Sequence, residues 1–213
     1  MGFAELQLRT LFTFEDDGFL LETREPHASR APILVIVRTK DEVAWAVRRD
    51  IPDEIAKLAA SESPLVDWDE APRHAATYGR IGRVESGPAY AFPTDLDPPD
   101  GVVRVDEYLP VARRFEADEI AGRSPIYAII EDDIAVSFCH CARSSKDAAE
   151  AGLFTEESHR GRGYGPRVAR AWAADIRASG RVPIYSTSWD NAASRSVARK
   201  LDLEITAADF SVY

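Results

Sequence analysis

Residues 159–167 read HRGRGYGPR, with three glycines and four arginine or histidine side chains around one tyrosine. The stretch follows a strand-like run, AEAGLFT. It precedes GPRVARAWAADIRASG, where Val168, Ala171, Trp172 and Ile176 recur at helical spacing, Pro166 sits in the first turn and Gly180 can close the end. A strand that turns through glycines straight into a helix leaves unpaired amides and a partial positive charge at the helix N-terminus. Glycine lets those amides converge and lets another molecule reach the backbone. Arginine adds fixed charge with fork-like donors. Such a bend is built to wrap an anion, and phosphate is the first expectation.

Three phosphate-binding patterns compete. A Walker loop needs Gly-Lys-Ser/Thr after its glycines, which is absent here. A dinucleotide fingerprint needs G-x-G-x-x-G, but Gly161-x-Gly163-x-x reaches Pro166. The third, Arg/Gln-x-x-Gly-x-Gly/Ala between strand and helix, is met at every position by Arg160-Gly161-Arg162-Gly163-Tyr164-Gly165.

The rest of the second half is regular. GVVRVDEYL reads as a strand, then a short helix through Phe115; SPIYAIIEDDIAVSFCHCAR reads as two strands around Glu131-Asp132-Asp133. VPIYSTSW is a further strand. DNAASRSVARKLDL is a helix capped by Asp190 or Asn191, with Ala193, Val197 and Leu201 facing inward, and FSVY is a short edge strand. In the first half, LQLRTLFTF and GFLLET flank Glu15-Asp16-Asp17 as a hairpin, PILVIVRT pairs with VAWAVRR, and PDEIAKLAASE is a helix. Residues 62–100 are thick with Pro, Asp and Gly and read as loop or linker. That gives an N-terminal α+β segment over 1–100 and a second unit over 101–213.

Charge sharpens the ligand. The chain carries a net −10, which argues against a nucleic-acid surface, yet residues 160–200 hold nine Lys or Arg against two Asp. A local excess of +7 in an acidic protein marks a specific anionic ligand. Cys139 and Cys141 lie one residue apart on a strand, where a disulfide would be strained; zinc wants about four ligands, so reduced thiols are expected and no metal. No apolar run has the roughly 20 residues needed to span a bilayer, and MGFAELQLRTLF lacks a leader pattern, so a cytoplasmic protein without a membrane partner is the expectation.

In EAGLFTEESHRGRGYGPRVARAWA and YSTSWDNAASRSVARKLDL the chain resembles the GNAT superfamily of acetyl-CoA-dependent N-acetyltransferases, over roughly 101–213. The resemblance implies an α+β fold, a mixed and largely antiparallel sheet flanked by helices, and acetyl-CoA as cosubstrate. Arg160, Gly161, Arg162, Gly163, Tyr164 and Gly165 would then hold the CoA diphosphate. Arg160 would also order the loop, and Arg167 or Arg170 would either reach the adenosine phosphate or lie on the surface. Leu153, Phe154 and Thr155 would bind the pantetheine arm and offer an amide to the thioester oxygen, in a V-shaped opening between LFT and PIYSTS. Asn191 would touch the cofactor or merely cap its helix, with Ser194 one turn on.

Glu150 is the expected base or substrate anchor, or else a structural carboxylate pairing a neighbouring strand; His140, Ser137, Ser186 and Ser188 are weaker candidates. Alternation puts Glu150, Gly152 and Phe154 on one face and Leu153 and Thr155 on the other, unless a bulge intervenes. Where many family members place a tyrosine as acid, this chain has Ala198, which leaves Tyr185 or Ser194, or a thiolate departing unaided. Asp202 stands where the family has a helix-ending glycine. The function implied is acetyl transfer to a small-molecule, protein or peptide amine by direct attack, with the acidic N-terminal segment favouring a cationic one. The alternative is a CoA-binding sensor without turnover. Residues 1–100 carry no assignable motif; a degenerate second acetyltransferase half, a substrate lid and a homodimer interface all remain open for them.

Overall fold

The structure, a computed structural model, describes residues 1–65, 67–105 and 122–213. The helix expected through Phe115 lies outside them. The first helix, α1, spans Phe3–Leu11 and runs into a two-stranded ribbon of β1 (Phe12–Phe14) and β2 (Leu20–Thr23). The strand expected at LQLRTLFTF is thus mostly helix. Ala4, Gln7, Leu8 and Leu11 are buried along one helical stripe, a spacing of three and four that outweighs the apparent alternation.

Next come β3 (Leu34–Arg38), β4 (Val43–Val47), α2 (Asp53–Ala60), α3 (Ala71–Ala76) and β5 (Val84–Ala91). The remaining elements are β6 (Val103–Val105), β7 (Ile126–Glu131), β8 (Ile134–Ser144), β9 (Ala148–Thr155), α4 (Tyr164–Ala178), β10 (Val182–Ser186), α5 (Ala192–Lys200) and β11 (Ile205–Val212). One nine-stranded sheet runs β4-β3-β11-β5-β10-β9-β8-β7-β6. Among the described pairs only β9 with β10 is parallel.

Two expectations change in this sheet. The stretch 62–100 contains β5, an interior strand between β11 and β10, and FSVY is the end of β11, itself interior between β3 and β5. Pro88 would ordinarily argue against an interior strand. Here it pairs with Ala208, and Gly87 beside it is needed because a Cβ there would run into the Thr187 carbonyl. The strands of residues 1–100 and of 101–213 therefore share hydrogen bonds across one sheet rather than forming two.

Helix α4 packs on β7 to β10, burying Val168, Ala169, Trp172, Ala173 and Ile176 against Cys139, Cys141, Ala149, Ala151 and Tyr185. Helices α2 and α3 extend the same face over Ile36, Phe210 and Val212. On the opposite face α1 covers Val35, Val37, Ala89, Ile184 and Ala207. The sheet is thus buried on both faces. Both sides of its centre are shielded from water, so a polar group placed there needs a partner or a ligand.

Candidate active site

The pairing of β9 with β10 runs Val182–Ala148, Pro183–Ala149, Ile184–Glu150, and stops. Beyond Glu150 the two strands part, leaving the β10-facing edge of β9 open over the residues expected to bind an extended arm. The bulge considered for β9 lies instead in β8, where Cys141 and Arg143 oppose Ala151 and Glu150 with Ala142 extra. Alternation in β9 therefore holds. Leu153 and Thr155 face α4, within contact distance of where a Cβ on Gly165 would sit, at 3.4 and 3.6 Å. Phe154 turns away onto Phe138, and Gly152 lies under the His140 ring.

On the α4 side of this opening is a cavity of about 570 Å³. Of the residues assigned to cofactor binding, Leu153, Phe154, Thr155, Arg160, Gly161, Gly163, Tyr164, Gly165, Asn191 and Ser194 line it. Arg162 does not; its guanidinium points to the Ser158 carbonyl (3.3 Å) and to Glu131 (3.9 Å). The bend itself is made by Gly161 and Gly163, at φ 80° and 78°, conformations that side-chain-bearing residues avoid. Gly163 caps α4, so the first-turn amides emerge into the cavity mouth. Arg160 orders the loop as expected, donating from Nε to the Thr155 carbonyl at 3.3 Å.

Glu131, the last residue of β7, was read from the sequence only as part of a turn. It accepts from the Tyr164 hydroxyl (2.6 Å) and lies 3.3 Å from His159 Nε2, so the turn clasps the bend from outside. The Tyr164 hydrogen bond, aided by His159 and Arg162, holds its carboxyl below the usual range. Arg167 is committed elsewhere, donating to the Asp100 carbonyl (2.5 Å). Lys200, at the end of α5, lines the cavity instead. Glycine bend, helix N-terminus and flanking cations together make a cradle that fits a diphosphate.

Asn191 caps α5, its Oδ1 accepting from the Ser194 amide (3.0 Å), and it also lines the cavity. Ala193 and Val197, expected to face inward, border the cavity, while Ala198 takes the core position. No hydroxyl stands at 198. The Tyr185 hydroxyl reaches Ser194 Oγ (2.6 Å), and burial raises its pKa to about 12. A phenol that weak keeps its proton at neutral pH and remains a hydrogen-bond donor at the cavity wall. Asp202 adopts the left-handed conformation at φ 56°.

A second cavity, of about 640 Å³, opens on the α1 side and shares Ser186 and Thr187 with the first. Its walls carry Glu85, Glu150, Asp190 and Asp209 against Arg143. Glu150 is 3% exposed; its Oε2 accepts from Arg143 (2.6 Å) and its Oε1 from Ser186. Arg143 also bonds Glu25. Asp209, on β11, faces the same side, and Gln7 of α1 donates to its Oδ2 (2.6 Å). Burial, with the Glu150 charge adding to it, raises the Asp209 carboxyl to about 7. Sequence reading missed Asp209 because it lies on a strand taken for a short edge. Of the weaker candidates, Ser188 lines this cavity, whereas Ser137 bonds the Phe154 carbonyl and Thr155 and His140 is buried. Both cysteines are buried free thiols, which burial makes less acidic.

A largely antiparallel sheet that opens between two parallel strands, beside a glycine bend leading into a helix, is the GNAT fold, and this chain has that fold. More particularly, residues 140–210 match the family model described as FR47-like protein. Among solved structures, a GNAT-family acetyltransferase from Novosphingobium aromaticivorans superposes with a TM-score of 0.51 at 22% identity, covering 61% of this chain and 64% of that one. A Drosophila protein gives 0.50 at 10% identity, over 90% and 73%. A GCN5-related N-acetyltransferase from Kribbella flavida gives 0.48 at 16%, over 100% and 96%. No curated protein sequence matches the chain. No helix among the described residues is long and apolar enough to cross a membrane.

Proposed function

We propose that the protein transfers acetyl from acetyl-CoA to a primary amine by direct attack, without a covalent enzyme intermediate. The observation that carries this is the pair of cavities on opposite faces of the sheet, meeting at Ser186 and Thr187 where β9 and β10 part. The cofactor supplies an acetyl thioester. In this reading the bend from Arg160 to Gly165, Asn191 and Lys200 hold it, and the open edge of Leu153 to Thr155 fixes its arm. A β9 amide hydrogen-bonds the carbonyl oxygen as negative charge develops there. The amine enters from the α1 side, where four carboxylates face one arginine and favour a cation.

The test is release of free thiol from acetyl-CoA across a library of amines. Cationic alkyl amines are expected to outrun neutral and anionic acceptors; a preference for anionic acceptors overturns the acceptor assignment. Ala198, buried where the family carries its acid, favours a second reading, a sensor that binds CoA without turnover. Thermal stabilisation by acetyl-CoA with no thiol release from any amine would select it.

A further inference from the structure

Three strands bring polar side chains together on the sheet face that α1 covers: Glu150 from β9, Ser186 from β10 and Asp209 from β11. The registers Glu150–Ile184, Ser186–Ala89 and Asp209–Gly87 put all of them on the same face, with Ile184, Ala89 and Ala207 packed beside them under the helix. Glu150 is the natural candidate for base, but both its oxygens are occupied, one by Arg143 and one by Ser186. Asp209 differs. Among the described residues its one hydrogen-bond donor is the neutral amide of Gln7, on Oδ2. It lines the cavity and is only partly buried, so a ligand can reach it.

We infer that Asp209 is the group that takes the proton from the acceptor ammonium, while Glu150, tied to Arg143 and Ser186, is the fixed negative charge that helps bind that ammonium. The inference rests on the transfer reading above. The Asp209 carboxylate removes one proton from R–NH3+, giving R–NH2 and a carboxylic acid. The amine nitrogen forms a bond to the acetyl carbon, the carbon–sulfur bond breaks, and the sulfur leaves as thiolate. The nitrogen's surplus proton neutralises that thiolate, leaving an amide and free thiol, and Asp209 returns its own proton to water. Gln7 is a positioning residue, fixing which oxygen faces the cavity.

A carboxyl raised to about 7 is matched to this task, being both ionised and basic near neutral pH. The charged and titratable groups around the cavity are Glu150, Arg143, Glu85, Asp190 and Tyr213, with Glu25 behind Arg143. Of these, Glu150 pushes Asp209 upward and Arg143 pulls it down.

The test compares pH profiles of kcat/KM for the wild type, Asp209→Asn and Glu150→Gln, with acetyl-CoA affinity measured calorimetrically on each. Asp209→Asn is expected to lower kcat about 10²- to 10³-fold, to abolish the acid limb near neutral pH and to leave cofactor affinity intact. Glu150→Gln is expected to move that limb to lower pH, because the neighbouring charge is gone, and to raise KM for the amine. A direct titration of the Asp209 carboxyl by carbon NMR, which needs no turnover, should show the same downward move. If the wild type turns over and Asp209→Asn keeps its rate and acid limb, the assignment of Asp209 fails while the transfer reading stands. If the wild type binds acetyl-CoA but acetylates no amine, the transfer reading fails and takes this one with it. A carboxyl titrating near the ordinary aspartate range overturns the assignment on its own.

Discussion

Replacing Asp209 by Asn should stabilise the protein while disabling it. In the folded chain this carboxyl titrates at about 7 instead of 3.8, chiefly because burial disfavours the anion. The native state therefore holds its proton more tightly than the unfolded chain, so stability falls as pH rises through that interval. Below about pH 4 both states are protonated and the residue costs nothing; above about pH 7 the cost is complete. A displacement of roughly three pH units at about 1.4 kcal/mol each gives about 4 kcal/mol as the upper bound. Water reaching a partly buried carboxylate reduces that to about 2 kcal/mol or more. Asn keeps an oxygen for Gln7 but carries no charge. Denaturant unfolding of both proteins at about pH 4 and about pH 8.5 reads the difference directly. The variant should gain roughly 2–4 kcal/mol on the wild type at the higher pH and almost nothing at the lower. A difference that does not change with pH, or one that grows toward acid, refutes the reasoning.

Three further outcomes follow from the same geometry. Gly163→Ala forces a β-carbon into the left-handed region at φ 78° and should cost about 1–2 kcal/mol in unfolding free energy, with weaker acetyl-CoA binding by calorimetry. Gly87→Ala drives a β-carbon into the Thr187 carbonyl where the two cavities meet; about 1–3 kcal/mol of stability and most of the turnover should be lost, against unchanged cofactor affinity. Glu131→Gln keeps an acceptor for the Tyr164 hydroxyl but removes the charge that ties His159 and Arg162 to the outside of the bend, so acetyl-CoA affinity measured by calorimetry should fall several-fold.

The cavity beside the glycine bend was readable because its signals are local. Arg160 to Gly165 lie in one bend, α4 and α5 follow with their caps, and ten of the eleven residues named from the resemblance line one cavity. Arg162 departs because its partners, Ser158 and Glu131, draw it outward. The cavity on the α1 side was illegible because it is assembled across the sheet. Asp209 meets Gln7 across 202 positions of sequence, and Glu150 meets Ser186 across 36. Such pairings leave no local pattern. Gly87 and Pro88, which ordinarily mark a loop, mislead here because close approach of Thr187 demands a glycine inside an interior strand. In α1 the alternation of Leu6 and Leu8 hides a helical stripe completed by Gln7, a buried polar residue whose amide donates to Asp209.

Calorimetric titration with acetyl-CoA tests the central claim, that the glycine bend and the first turn of α4 hold the diphosphate of this cosubstrate. Saturable one-to-one binding is predicted, weakened in Gly163→Ala and competed by CoA but not by NAD. The absence of any heat with acetyl-CoA at about millimolar concentration, or binding that Gly163→Ala leaves untouched, contradicts it.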